Sequence, residues 1–203
     1  MCNLYTTRAS AAEVAALFRA KLPANTNAGP GTVYPGYTGM VVLQDAGERV
    51  VEGMTWGFPF KPKDAKPESR PRPVNNARAD KLDSYMWKYS FLERRCLIPV
   101  TAFAEAEGEK GAKTRTWFSL PDEPLFAVAG LWRDTAEWGR AYTMVMTEAC
   151  LHVADVHDRM PVILKCADWD DWLDGAPDDA GLLCRPYPDL MVVDRTTERW
   201  SSR

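Results

Sequence analysis

Residues 95–147, RCLIPVTAFAEAEGEKGAKTRTWFSLPDEPLFAVAGLWRDTAEWGRAYTMVMT, break into apolar runs separated by short polar links, and this rhythm decides the fold. Arg95–Val100, Ala102–Glu107, Thr114–Leu120, Leu125–Trp132 and Arg140–Thr147 read as strands, because each is a short run bounded by turn-like links. Gly108–Gly111, Pro121–Pro124 and Asp134–Gly139 carry the glycines, prolines and acids of turns. Links this short predict that consecutive strands pair antiparallel. No helical pattern separates the runs, so the βαβ rhythm of a Rossmann fold is excluded. The predicted class is α+β: a single domain over residues 1–203, mostly antiparallel sheet or a partly closed barrel, with a few flanking helices.

Outward from this stretch the signals are local. Ser10–Glu13 forms a capping box, and Val14, Leu17, Phe18 and Leu22 share one helical face until Pro23 stops the helix. Gly39–Gln44 and Arg49–Thr55 flank Asp45–Glu48 as a hairpin. The proline-rich stretch Gly57–Pro73 is a long excursion. Asp80–Leu92, with Leu82, Tyr85, Met86 and Tyr89 at helical spacing, predicts a second helix. Met160–Leu164 reads as a strand, Ala167–Leu173 as a short helix and Leu190–Val193 as a last strand.

Composition narrows the chemistry. With 46% hydrophobic and 26% charged residues in 203, the chain is an ordinary globular sequence. The apolar run Pro124–Trp132 is about half of the ~20 residues a spanning helix needs, and no basic-then-apolar leader opens the chain, so a cytoplasmic protein without membrane contact is expected. Five cysteines without a C-x-x-C pair, and two histidines, argue against disulfides and against a zinc centre; no metal and no cofactor is expected. The net charge of −3 is unevenly spread. Residues 1–120 hold 17 Lys and Arg against 12 Asp and Glu, and residues 121–203 hold 8 against 16. The basic excess includes Lys61, Lys63, Lys66, Arg70 and Arg72 among prolines and aromatics, which suits either a loop beside phosphates or a solvated loop.

Four short strings carry candidate chemistry. Cys2, once Met1 is removed, offers an α-amine and a thiol on one residue; the amine attacks an aldehyde to give an imine, and the thiol closes a five-membered ring on the same carbon. The plain alternative is a small residue behind the initiator. In Asn75–Asp80 an Asn amide can orient a carbonyl and Arg78 can grip a phosphate, or Arg78 and Asp80 simply form a surface pair. Glu105 lies in an apolar stretch: buried, it becomes a proton shuttle, but alternation equally allows it to face solvent. His157, followed by Asp158 and Arg159 just before a strand, is either an acid–base group or a structural imidazole.

Met1–Cys2, Asn76–Arg78, Arg94–Pro99 leading to Phe103 and Glu105, Ala129–Trp132 and His157–Val162 stand together in an order and spacing that resembles the SOS-response-associated peptidase (SRAP) family, over residues 1 to about 195. The resemblance implies an abasic-site processing protein in the DNA damage response, acting as a monomer on single-stranded DNA. It implies self-removal of Met1 and a thiazolidine crosslink through Cys2 to the ring-opened aldehyde. Asn76 then orients the reacting group, and Glu105 and His157 move protons. Arg78, Lys61, Lys63 and Arg159 are the expected DNA contacts. Two other readings stay open: a Cys-type amidohydrolase or peptidase using Cys2 and His157, and an inactive single-stranded-DNA-binding module.

Overall fold

The computed structural model describes residues 2–24, 27–66 and 68–200. In chain order its strands are β1 (Tyr5–Thr7), β2 (Gly31–Val33), β3 (Thr38–Asp45), β4 (Glu48–Trp56), β5 (Phe58–Phe60), β6 (Arg72–Val74), β7 (Asn76–Arg78), β8 (Arg95–Val100), β9 (Ala102–Glu107), β10 (Thr114–Ser119), β11 (Phe126–Thr135), β12 (Gly139–Glu148), β13 (Arg159–Pro161), β14 (Ile163–Leu164) and β15 (Val192–Arg199). The helices are α1 (Ala11–Phe18), α2 (Lys88–Glu93), α3 (Leu151–Ala154), α4 (Trp169–Asp174) and α5 (Pro177–Leu182).

Five strands close on themselves. β12 pairs β4, β4 pairs β3, β3 pairs β8, β8 pairs β11, and β11 returns to β12. Only the β4–β12 seam of this ring is parallel. Period-2 alternation then sorts each strand into two buried faces. Val41, Leu43, Cys96, Ile98, Val128, Tyr142, Met144 and Met146 fill the inner cluster. Met40, Val42, Leu97, Ala127, Ala129, Leu131, Ala141 and Val145 face outward, where α1, α4 and α5 cover them. Burial on both faces is why β8 reads as a continuous apolar run rather than an alternating one.

A second sheet, in the order β15-β10-β9-β1-β2, packs on the barrel through Tyr5, Phe103 and Phe118. Here the expectation of consecutive pairing fails at two places. β9 leaves the barrel after β8 and pairs β1 and β10, and β10 pairs β15 rather than β11. The chain changes sheets at Thr101, whose N–H and hydroxyl both donate to the Thr6 carbonyl. The pairing is decided by this distant strand, which sequence separation hides.

The capping box of α1 forms as read, with Ser10 and Glu13 exchanging hydrogen bonds. The helix is shorter than expected. Arg19 adopts a left-handed conformation, φ 51°, and Lys21 then bridges to the edge of β4, leaving Leu17 and Leu22 half-exposed. The hairpin is as predicted, with Ala46 and Gly47 both at positive φ between Asp45 and Glu48.

The helix expected over Asp80–Leu92 is largely absent. Ala79–Lys81 makes one 3₁₀ turn, and only Lys88–Glu93 is α-helical. Leu82 and Trp87 are the buried apolar residues, five apart, and no single helical face holds both; Tyr85 is fully exposed. Three smaller boundaries also move. Met160–Leu164 splits into β13 and β14 around Val162, the helix expected over Ala167–Leu173 becomes a 3₁₀ turn followed by α4, and the last strand runs from Val192 to Arg199.

Gly39 shows how tightly the barrel meets the second sheet. A Cβ there would stand 2.1 Å from the Tyr142 hydroxyl and 2.2 Å from that of Tyr5, two buried phenols hydrogen-bonded to each other. Gly39→Ala is expected to cost about 3 kcal/mol in chemical denaturation, since the pair must separate inside a packed core. An unchanged midpoint contradicts this packing.

Candidate active site

Strand β1 fixes the site. Tyr5 pairs Phe103, and the Ala104 N–H donates to the Leu4 carbonyl at 2.9 Å, so the segment before β1 continues antiparallel along β9 toward Glu105. Leu4 and Ala104 are both buried at this crossing, and residue 4 therefore belongs to the core. Cys2 is fully buried. Its carbonyl oxygen accepts from Asn75 Nδ2 at 2.9 Å and Asn76 Nδ2 at 2.8 Å. Asn75 Nδ2 also reaches Asn3 Oδ1 at 3.1 Å.

The two asparagines are themselves held. The Asn75 carbonyl accepts from Trp56 Nε1 at 3.1 Å and from the Met144 N–H at 3.0 Å. β7 then lies parallel to the second half of β12, taking the place β4 leaves at Tyr142. Asn76 Oδ1 is buried and has no hydrogen-bond partner among the described residues. A buried acceptor left this way costs free energy until a donor arrives.

The Cys2 thiol points its hydrogen at the Leu4 carbonyl, 3.5 Å away. Burial, with the Glu105 charge beside it, pushes its pKa well above that of an ordinary thiol. This is the reverse of the electropositive setting that makes a thiolate nucleophile.

Glu105 stands opposite Thr116 in the β9–β10 pair and is 2% exposed, so its alternation faces the core and not solvent. Burial raises its carboxyl to about 7. His157 follows α3 and is half-buried; its N–H donates to the Val153 carbonyl at 2.9 Å. Burial lowers the imidazole pKa, which leaves the ring neutral at pH 7. Nδ1 then accepts the Arg159 N–H at 3.0 Å, placing the ring proton on Nε2; Asp158 Oδ1, 3.0 Å from Nδ1, becomes its partner only on protonation. Glu105 and His157 share one electrostatic surrounding. Asp158 raises both pKa values and Lys113 lowers both.

Arg78 and Arg159 flank the end of β12, opposite Met146 and Glu148. Arg78 is bonded twice to Asp80, so the surface pair weighed from sequence exists. Lys61 and Lys63 lie on the exposed loop between β5 and β6. The structure thus gathers Cys2, Asn76, Glu105 and His157, with Arg78 and Arg159 at the rim. Sequence reasoning missed Lys113, one basic residue among many before β10, and gave Asn75 no role of its own. The doubled Asn75–Asn76 was the signal available for the latter.

Among the described residues no helix is long and apolar enough to cross a membrane, and no three acidic, cysteine or histidine side chains gather as metal ligands.

The chain is similar to proteins of known name and to solved structures. Abasic site processing protein YoqW of Bacillus subtilis (strain 168) is 30% identical over 164 residues, covering 76% of this chain and 72% of that one. Abasic site processing protein YMR114C of Saccharomyces cerevisiae is 28% identical over 131 residues, 62% of this chain and 35% of that one. A crystal structure of a protein from Bordetella bronchiseptica superposes with a TM-score of 0.79 at 25% identity, covering 96% of this chain and 99% of that one. One from Bacteroides thetaiotaomicron gives 0.79 at 20% identity, covering 96% and 91%. Residues 1–199 match the family description SOS response associated peptidase (SRAP), and the chain belongs to that family.

Proposed function

We propose that this protein captures abasic sites in single-stranded DNA by a covalent bond to Cys2, after Met1 has been removed. The observation that carries the proposal is the pair of amides, Asn75 and Asn76, clamping the Cys2 carbonyl beside a buried carboxyl whose pKa is about 7. Anchoring the carbonyl fixes the residue while leaving its nitrogen and sulfur to react.

The chemistry balances without a cofactor. Water adds across the Met1–Cys2 peptide bond, methionine leaves, and Cys2 gains a free amine. That amine, with an ordinary pKa near 8, is partly neutral at pH 7 and adds to the C1′ aldehyde of the opened deoxyribose. The carbinolamine loses water to give an imine. The thiol then forms the carbon–sulfur bond, and its proton passes to the ring nitrogen. A carboxyl near 7 is populated in both forms at neutral pH, so Glu105 can give the proton that expels water and take one back. Neutral His157, with Nε2–H, is the complementary donor during opening of the sugar ring. The Asn76 Oδ1 orphan gains a donor from the freed amine or from a sugar hydroxyl. Arg78 and Arg159 at the rim suit phosphate, and Lys61 and Lys63 extend the same charge along the excursion.

Incubating the processed protein with uracil-glycosylase-treated single-stranded DNA is expected to give a heat-stable protein–DNA species. Intact-mass measurement reports whether Met1 has left. Asn76→Ala should slow capture about tenfold to a hundredfold, because the nucleophile loses its placement. Asn75→Ala should cost less, since it keeps both the Asn76 donor on the Cys2 carbonyl and the Asn76 Oδ1 acceptor for the incoming group. Equal rates in all three proteins, read from single-turnover crosslinking, remove the clamp from the mechanism.

The amidohydrolase reading fares worse, since it needs a thiolate where burial favours the thiol. It predicts rapid alkylation of Cys2 at neutral pH.

A further inference from the structure

On the reading above, Arg78 and Arg159 meet the phosphates of a DNA strand, yet both already face a carboxylate. Asp80 Oδ1 accepts from Arg78 Nε at 2.9 Å, and Asp80 Oδ2 accepts from Arg78 Nη2 at 2.6 Å. This is the two-pronged geometry with which a guanidinium holds phosphate. Arg159 Nη1 lies 3.9 Å from Asp80 Oδ1. The three side chains sit at the surface, with Arg78 44%, Asp80 50% and Arg159 20% exposed, so an incoming anion can reach them.

Two features make Asp80 displaceable. It belongs to a single 3₁₀ turn, Ala79–Lys81, none of whose residues is buried. The turn's backbone is held between β7 and the buried Leu82, but the Asp80 side chain itself is half-exposed, so its carboxylate can swing away without unfolding a helix. The pairing is nonetheless firm in the absence of a competitor. The Arg78 hydrogen bonds hold the Asp80 carboxyl below the usual carboxylate range, and Asp80 in turn raises the Arg78 guanidinium.

We propose that Asp80 is an internal stand-in for a DNA phosphate. It holds Arg78 and Arg159 while no strand is bound, and a backbone phosphate displaces it. The inference rests on the proposed single-stranded DNA substrate and deepens it. Each phosphate that docks must break an existing ion pair and then tolerate a carboxylate beside it. Undamaged DNA is therefore held weakly and released, whereas a strand bearing an aldehyde is retained by the covalent bond. Selectivity for the lesion comes from keeping the reversible affinity low. Asp80 is a positioning residue here, acting through the two arginines and touching no reacting atom.

The test is reversible binding of a fluorescently labelled, undamaged oligothymidylate, followed by anisotropy between about 50 and 200 mM KCl. Asp80→Asn should bind about threefold to tenfold more tightly at the low-salt end, and its log–log salt slope should steepen by about 0.7, because in the wild type the displaced carboxylate takes up a cation as the docking phosphate releases one. Asp80→Glu keeps the charge and should follow the wild type. In an Arg78→Ala background, adding Asp80→Asn should gain no more than about twofold, because Arg159 is then the one arginine left to unmask, and the difference isolates the Arg78 share. Should Asp80→Asn fail to fold, Asp80→Ser replaces it.

Equal or weaker binding by Asp80→Asn, with an unchanged thermal melt, overturns the inference. Asp80 would then order the arginines rather than mask them. Wild-type capture of abasic DNA judges the proposed function separately. Tighter binding by Asp80→Asn without any capture leaves the mask standing and removes the chemistry; capture without tighter binding does the opposite.

Discussion

Serine in place of Cys2 is expected to lower the heat-stable DNA adduct at least about a hundredfold while leaving the protein folded. Removal of Met1 from this variant still exposes an α-amine, so attack on the aldehyde continues and an imine forms. The hydroxyl does not close a durable ring on the imine carbon, and water returns the complex to its components. Borohydride added during the reaction should therefore restore an adduct, because reduction of the imine replaces the missing ring closure. Cys2→Ala should behave in the same way. The substitution by serine is close to isosteric, and the Leu4 carbonyl that accepts from the thiol can accept from the hydroxyl, so the cost to stability should stay near ~1 kcal/mol. A Cys2→Ser protein that crosslinks without reductant as well as the wild type ends the thiazolidine mechanism.

Glu105→Gln separates chemistry from stability in opposite directions. Burial raises the Glu105 carboxyl from its ordinary 4.5 to about 7. Between those two values the folded protein holds a proton that the unfolded chain has released. The stabilising contribution is thus complete below about pH 4.5 and is lost as pH rises through 7. At pH 8 and above, the native state carries a buried carboxylate at a cost of about 3 kcal/mol relative to acid conditions. Glutamine removes that cost. The variant should be more stable than wild type by up to about 3 kcal/mol at about pH 8.5 and should gain nothing at about pH 4. Its capture rate should fall about a hundredfold, since an amide neither gives nor takes the proton. Urea denaturation at the two pH values and single-turnover crosslinking check both halves. A variant destabilised at the alkaline value, or one that captures DNA normally, would falsify the assignment of Glu105 as the buried proton carrier.

The wild-type rate should in addition bend near pH 7, where the Glu105 carboxyl titrates. His157 is lowered by its own burial, so it stays neutral through this bend and does not produce it.

The strands, the capping box and the hairpin were legible because their causes lie within a few residues of one another. Alternation and turn residues act locally, and Arg95–Val100 and Ala102–Glu107 have the bounds read for them. The same locality explains the failures. Asp80–Leu92 has helical spacing, but Leu82 and Trp87, five residues apart, are both drawn into the outer buried cluster, which one helical face cannot do, and Arg78 takes the Asp80 carboxylate. Glu105 could be read either way from alternation. Its pairing with Thr116 and the antiparallel run of residues 2–4 along β9 decided that it faces inward.

Sequence by itself determined the inventory: a sheet-rich chain whose second residue is a cysteine, with an Asn-Ala-Arg box, a glutamate in an apolar strand and a histidine before a short strand. Only the tertiary structure decided that the side chains of Asn75 and Asn76, more than seventy residues along the chain, close on one carbonyl, and that Asp80 stands between two arginines. Residue type fixes what a group can donate, accept or titrate, whereas the field and partners it meets depend on strands paired across long stretches of chain. That pairing is set by the whole core at once.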